Sequence, residues 1–141
     1  MKILILCTGN SCRSQMAHGF LQSFDGRLYV RSAGTEPAMH INQKAVEVMA
    51  DLGLDISGHT PHLVDEYLDE DWDYVITVCD HANETCPAFL GKVKHRLHLG
   101  FEDPSLAAGT PGFIYGEFIR IRDAIHETFL ELYNRNLKEK L

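Results

Sequence analysis

The 141-residue sequence contains no apolar run long enough to cross a membrane, and its first apolar stretch turns polar directly after Cys7 with no secretory cleavage region. It also lacks the excess of positive charge that sequence-independent nucleic-acid binding requires, because the formal net charge is −7. We therefore expect a cytoplasmic protein that binds neither nucleic acid nor a membrane. Any anion site must be built locally, from backbone N–H groups and one or two cations.

The four cysteines lack the close spacing of structural zinc ligands, since Cys7 and Cys12 are five positions apart and Cys79 and Cys86 are seven apart. Without a secretory signal, the reducing cytoplasm favours redox or nucleophilic roles over structural disulfides. The eight histidines are scattered, and no two of them stand four positions apart as metal ligands on a helix do. We expect no metal site and no tightly bound cofactor.

Apolar strands and amphipathic helices alternate along the chain without a linker or a repeat. Strands are predicted at Lys2–Leu6, Leu28–Arg31, Tyr74–Val78 and Val93–Leu97, and helices from Arg13, after Asn42 and from Phe113 or Ile114. This order predicts a single α/β domain, residues 1–141, with a doubly wound, four-stranded parallel sheet flanked by helices. Ligands bind such sheets at the carboxyl ends of strands, where Cys7 lies.

The segment between the first strand and the first helix has the pattern Cys-x5-Arg, from Cys7 to Arg13. Its successive N–H groups can point inward as an anion-binding nest, and the Arg13 guanidinium can hold two oxygens of a tetrahedral anion. The predicted substrate-binding residues are Thr8, Gly9, Asn10, Ser11, Cys12, Arg13 and Ser14. This positive environment lowers the expected pKa of Cys7, and Ser14 is placed to donate to the thiolate. Alone, the pattern also fits an ordinary turn, but the flanking strand and helix favour a nucleophilic loop.

Displacing an oxygen from a tetrahedral oxyanion requires an acid that protonates the leaving group. The predicted acid is Asp103, which precedes Pro104 in a loop after the fourth strand, and Glu102 is the alternative. Taken alone, Asp-Pro is more typical of a simple turn than of a catalytic acid. Its combination with the Cys-x5-Arg loop favours the catalytic interpretation.

These motifs together resemble the low-molecular-weight protein tyrosine phosphatases over nearly the whole chain. The resemblance rests on Cys7–Arg13 with Ser14, on Ser32-Ala33-Gly34-Thr35 and on Asp103-Pro104. The stretches "CTGNSCRSQMA", "LDISGHT" and "VCDHANETC" are more similar to the thioredoxin-coupled arsenate reductases of that superfamily.

The resemblance implies a catalytic set of Cys7, Arg13, Cys79, Cys86 and Asp103. Cys7 would attack arsenate, Cys79 would then attack Cys7 and release arsenite, and Cys86 would attack Cys79 to leave a disulfide that thioredoxin reduces. Cys79 follows a buried strand, and the polar stretch 80–85 before Cys86 is predicted to be a mobile loop, with Pro87 as its hinge. Cys12 has no part in this relay.

Two departures from the family pattern bear on cation binding. A potassium-binding branch uses residues that match Asn10, His18, Ser32 and His62 here, and both histidines replace carboxylates. Hard cations prefer oxygen ligands, so we expect no potassium site, and Asn10 and Ser32 are expected to brace the loop. We expect the protein to be a monomer. We also expect phosphate to bind as an analogue of arsenate.

Two other functions remain compatible with the sequence. A low-molecular-weight phosphatase needs only Cys7, Arg13 and Asp103, and would hydrolyse phosphate monoesters through a phospho-Cys7 intermediate. The arsenate reductase is favoured over it because only the reductase uses Cys79 and Cys86. A non-enzymatic anion or redox sensor would bind arsenate without turnover.

Overall fold

The computed structural model describes residues 1–141 and contains one four-stranded parallel sheet in the order β2-β1-β3-β4. The strands are β1 (Lys2–Cys7), β2 (Tyr29–Gly34), β3 (Trp72–Thr77) and β4 (Val93–His98). The helices are α1 (Arg13–Phe24), α2 (Gln43–Ala50), α3 (Asp80–Thr85) and α4 (Pro111–Leu132). The predicted fold class, a helix-flanked parallel α/β sheet, is therefore confirmed.

The core surrounds the central strand β1, whose residues Ile3–Leu6 are completely buried. Such a continuous apolar run is typical of a parallel strand covered on both faces. Helix α1 packs against α4 and β2, and Arg122 of α4 donates a hydrogen bond to the Val48 carbonyl of α2. No helix combines the length and the hydropathy that a transmembrane span requires.

Several element boundaries differ from the predictions. β2 extends to Gly34, so Ser32 lies within the strand rather than after it. The helix predicted after Asn42 is α2, which ends at Ala50, and the apolar Leu52 lies beyond it and is exposed. α4 begins at Pro111 rather than at Phe113 or Ile114, because the Thr110 hydroxyl caps the helix and proline suits the first helical position.

The prediction of a mobile loop between Cys79 and Cys86 is wrong, because this segment forms α3. The Cys79 sulfur caps the helix by accepting a hydrogen bond from the Ala82 N–H at 3.5 Å, and Cys86 is the residue at the other end. Ala82 is the only buried residue of the helix, so the segment has no apolar stripe from which sequence periodicity could predict it.

Candidate active site

The strand order brings Cys7 and Cys79 together. The chain passes from β1 to β2 on one side and later returns to form β3 on the other side of β1, so the carboxyl ends of β1 and β3 form a topological switch point. Leu6 and Thr77 are paired across these strands, and Cys7 and Cys79 follow them. Both cysteines are buried, and their thiol groups lie close enough that each shifts the pKa of the other.

The loop after β1 is an anion nest because its carbonyl groups all face outward. The segment after β2 donates backbone hydrogen bonds to the carbonyls of Cys7, Thr8 and Gly9, at 3.2, 2.9 and 2.8 Å. Gln15 Nε2 donates to the Asn10 carbonyl at 3.0 Å. The N–H groups of residues 9–12 have no hydrogen-bond partner in the protein and are available to an anion.

Asn10 and Gly34 set the shape of this loop. Asn10 has a positive φ of 50°, which asparagine tolerates, and its Oδ1 accepts from the His62 N–H at 2.9 Å. The loop packs so closely on β2 that a Cβ at Gly34 would lie 2.3 Å from the Thr8 carbonyl oxygen. A side chain at position 34 would therefore push the loop out of place.

Ser14 holds the loop rather than the nucleophile. Its Oγ accepts a hydrogen bond from Asn10 Nδ2 at 2.7 Å, and it makes no hydrogen bond with Cys7. The predicted donation from Ser14 to the Cys7 thiolate is therefore absent. The backbone N–H of Thr8 acts on Cys7 instead and opposes the rise of its pKa.

Both Nη atoms of Arg13 have neighbours in the protein, whereas its Nε has no partner. One Nη donates to the Phe101 carbonyl at 3.1 Å, and the other lies 3.5 Å from Asp103 Oδ2. Arg13 Nε is buried and has no partner. An unpartnered buried donor is costly, so this geometry suits a bound oxyanion that accepts from Nε.

Asp103 shares a cavity of about 170 Å³ with the loop and Ser105. Its other oxygen, Oδ1, accepts from the Ser105 N–H and hydroxyl at 2.9 and 2.7 Å, which fixes the carboxyl group. The alternative acid, Glu102, is largely exposed and pairs with Arg120. The cavity formed by the loop is thus lined by Asp103 and not by Glu102.

The thiol electrostatics differ from the prediction for Cys7. The hydrogen bond from Cys7 lowers the pKa of Cys79 to about 5, and the Thr8 hydroxyl, 3.3 Å from the Cys79 sulfur, supports this thiolate. The same bond to Cys79, together with burial, raises the pKa of Cys7. The expected lowering of the Cys7 pKa is therefore wrong for the resting site, because a second thiol takes the negative charge.

We expect the Cys7–Cys79 pair to keep one thiolate down to a pH of about 5 and to lose it below that value. Cys7→Ala removes the donor, so the midpoint should rise towards the ordinary thiol value near 9. Thiolate ultraviolet absorbance as a function of pH measures both midpoints. Cys12→Ala is the matched control and should not move the midpoint, whereas a parent midpoint near 9 would contradict the assignment.

The other two cysteines have raised pKa values. Burial and the Asp103 charge raise the pKa of Cys12 to about 12, so Cys12 stays protonated in the loop. Burial raises the pKa of Cys86, against the opposing effect of Arg96. Cys86 is half-buried, and its sulfur lies 3.6 Å from the Pro87 carbonyl.

The four residues compared with a potassium site, Asn10, His18, Ser32 and His62, form two hydrogen-bonded pairs. His18 Nδ1 and Ser32 Oγ are 2.9 Å apart, and Asn10 Oδ1 is occupied by the His62 N–H. No three His, Cys, Asp or Glu side chains are arranged to hold a metal ion.

Sequence reasoning missed two groups of residues that support the site. Gln15 braces the loop from α1, and its helical spacing alone gave no signal of this role. His98 joins β4 to α3, because its Nδ1 lies 2.8 Å from the Thr77 hydroxyl and its Nε2 lies 2.9 Å from Asp80 Oδ1. Only the strand pairing brings these residues together.

Comparison with known proteins agrees with this geometry. Residues 2–141 match the model of the family "Low molecular weight phosphotyrosine protein phosphatase". The arsenate reductase of Halalkalibacterium halodurans is 45% identical over 124 residues, which cover 87% of this chain and 88% of that protein. A solved arsenate reductase in a phosphate-binding state has a TM-score of 0.79 and 29% identity, covering 95% of this chain and 97% of that one. A thioredoxin-dependent arsenate reductase of Corynebacterium glutamicum has a TM-score of 0.71 and 26% identity, covering 99% of this chain and 62% of that one.

Proposed function

The chain belongs to the low molecular weight phosphotyrosine protein phosphatase family, and we propose from this membership that it reduces arsenate to arsenite. The observation that carries the proposal is the pair of neighbouring buried thiols, Cys7 and Cys79, at the anion nest, with Cys86 at the other end of α3. Phosphatase chemistry requires only the first of these thiols. Three thiols in this order supply a nucleophile, a resolving thiol and an exit for the oxidation.

In the first step, Cys7 attacks arsenic while the nest and Arg13 hold the arsenate oxygens. The proton of Cys7 passes along its hydrogen bond to Cys79, so the attacking sulfur becomes a thiolate as the anion arrives. An As–S bond forms and an As–O bond breaks. Asp103 protonates the departing oxygen, which leaves as water.

In the second step, the Cys79 sulfur attacks the Cys7 sulfur, and the Cys79 proton passes to the departing arsenite. A disulfide forms between them, and the electron pair of the S–As bond stays on arsenic, which leaves as arsenite, reduced by two electrons. The contact between the two thiols in the resting structure gives this step a short path. The two cysteine sulfurs together lose the two electrons that arsenic gains.

In the third step, Cys86 attacks Cys79 and Cys7 is released as a thiolate. α3 must unwind for this step, because seven helical steps of about 1.5 Å place Cys79 and Cys86 about 10 Å apart, whereas a disulfide needs Cα atoms within about 7 Å. α3 buries only Ala82, so little apolar contact opposes its unwinding.

We propose thioredoxin as the external reductant of the Cys79–Cys86 disulfide, supported by the likeness to the thioredoxin-dependent reductase of C. glutamicum. The enzyme would act as a monomeric single domain, residues 1–141, in the cytoplasm, where free thiols persist. Phosphate would bind the same nest as an analogue, and no metal or tightly bound cofactor takes part. Phosphatase activity is the second candidate, because water could attack a phospho-Cys7 intermediate in the same cavity.

Mapping the thiols after reaction with arsenate tests the proposal. Fully reduced protein is mixed with arsenate, quenched with an alkylating agent and analysed by peptide mass spectrometry, while arsenite is measured in parallel. A Cys79–Cys86 disulfide that forms with arsenite and disappears with reduced thioredoxin supports the reductase. Four alkylated cysteines and no arsenite would contradict it, and hydrolysis of a phosphate monoester would then identify a phosphatase.

Asp103→Asn is expected to slow formation of the first intermediate by about 10²–10⁴-fold, the usual contribution of a general acid. Anion binding should change little, because the nest and Arg13 remain. Rapid-quench single turnover measures the rate, and phosphate titration measures binding. Glu102→Gln is the matched control, because Glu102 pairs with Arg120, and its rate should not change. If Glu102→Gln lost this rate and Asp103→Asn did not, the acid would be Glu102.

A further inference from the structure

A second polar cavity, of about 350 Å³, lies beside the loop but shares no lining residue with the loop cavity. Its lining includes Arg31 of β2, Tyr67 and three imidazole side chains, those of His18, His59 and His62. We call it the histidine cavity. None of these five side chains takes part in the proposed reaction.

Arg31 has a positive charge without a carboxylate partner. No Asp or Glu oxygen lies within 4 Å of its guanidinium, which stacks 4.0 Å from the centre of the Tyr29 ring. One Nη donates to the Val30 carbonyl at 2.8 Å, while Nε and Nη2 have no partner in the protein. The stacking fixes the plane of the guanidinium, and a planar fork with free donors matches two oxygens of an oxyanion.

Three imidazoles line the cavity with polar ring nitrogens. The rings of His18 and His59 stack with their centres 4.6 Å apart. Burial, with His59 and Arg31 nearby, lowers the pKa of His18 to about 3, which fits a site where further positive charge is unfavourable. Two acidic side chains act on these imidazoles: Glu66, which lies 3.2 Å from His62 Nδ1, and Asp55, whose charge opposes the lowering of the His59 pKa.

We propose that the histidine cavity binds a doubly charged inorganic oxyanion, such as phosphate or sulfate, on the free edge of Arg31. Thr60 lines the same cavity with a hydroxyl 3.1 Å from His62 Nε2, and Tyr67 adds a second hydroxyl group. These neutral donors complement the guanidinium charge. This site goes beyond the arsenate reductase proposal and does not depend on it.

Hydrogen bonds connect this site to the anion nest. His59 Nδ1 lies 3.0 Å from Gln15 Oε1, and Gln15 Nε2 holds the Asn10 carbonyl. The His62 backbone N–H holds Asn10 Oδ1. An oxyanion that fixes the two histidines would therefore stabilise the conformation of the loop.

Equilibrium dialysis with labelled sulfate tests the proposal by counting bound ions. The parent protein should bind two sulfates, one in the nest and one in the histidine cavity. Arg13→Gln should lose the first and keep the second, whereas Arg31→Gln should weaken the second by about 10-fold or more. Arg135→Gln, an exposed arginine paired with Glu131, is the matched control and should bind two.

Arg31→Lys keeps the charge and should retain measurable binding at the second site, which separates loss of the site from a failure to fold. Circular dichroism of each variant checks the fold. A parent that binds one sulfate, or Arg13→Gln that binds none while folded, would overturn the proposal. Because sulfate is not reduced, these results are independent of whether the protein reduces arsenate.

Discussion

Cys7→Ser is expected to abolish arsenate reduction, with a loss on the order of the 10⁶-fold seen when an enzyme loses its covalent nucleophile. A serine hydroxyl is a much weaker nucleophile than a thiolate, and the Cys79 thiolate is far too weak a base to deprotonate it. No As–S bond forms, so Cys79 has no intermediate to resolve. Any phosphate monoester hydrolysis should disappear at the same time, because both reactions begin at Cys7.

Phosphate binding to Cys7→Ser is the control that shows whether the variant keeps an intact anion nest. The nest N–H groups and Arg13 are unchanged in Cys7→Ser, so phosphate should still bind, and phosphate titration checks this. Arsenite release measured over many hours quantifies the residual rate. Arsenite release at the parent rate from a folded Cys7→Ser protein would place the nucleophile elsewhere, and Cys12 would be the next thiol to test.

Cys86→Ser is expected to release one arsenite per protein molecule and then stop. The first two steps need only Cys7 and Cys79, which contact each other in the resting structure. Without Cys86, the oxidation remains in a buried Cys7–Cys79 disulfide, because both residues are only 3% exposed. A protein reductant cannot reach sulfur atoms buried to this degree, so turnover ends.

Arsenite yield at several ratios of arsenate to protein distinguishes this outcome from a slow enzyme. The yield of Cys86→Ser should level off at one per protein, with or without thioredoxin, and peptide mapping should show Cys7 joined to Cys79. Cys12→Ser should continue to turn over, since residue 12 supplies the nest with a backbone N–H. Equal multiple-turnover rates for Cys86→Ser and the parent would refute the relay.

The positions of Cys7, Arg13 and Asp103 could be predicted because each depends on a local signal. A buried strand followed by Cys-x5-Arg and a helix defines the loop, and Asp-Pro marks the proposed acid. Parallel strand order then places Cys79 near Cys7, because the carboxyl ends of neighbouring strands meet at one edge.

The charge on the thiols could not be predicted in the same way. It depends on a hydrogen bond between residues 72 positions apart in the chain, so a rule based on the loop alone assigned the thiolate to Cys7. α3 was missed for a related reason: its cap is a cysteine sulfur, and its six residues are too few to show a period. From the sequence, His18 and His62 indicate only the loss of a potassium site. The sequence does not show that Arg31 lies beside them, because the fold of β2 brings it there.

Because Cys79 and Cys86 lie at the two ends of α3, the oxidation state of these cysteines is coupled to the backbone conformation of the segment between them. In the proposed cycle, the reduced enzyme presents α3 as a helix, whereas the enzyme with a Cys79–Cys86 disulfide would present an unwound segment. A reductant that recognises extended backbone would therefore select disulfide-containing molecules and ignore reduced ones. Reduced enzyme, even in large excess, would then compete little for the reductant. The rate at which the disulfide is reduced would therefore follow the amount of arsenate that the enzyme has reduced.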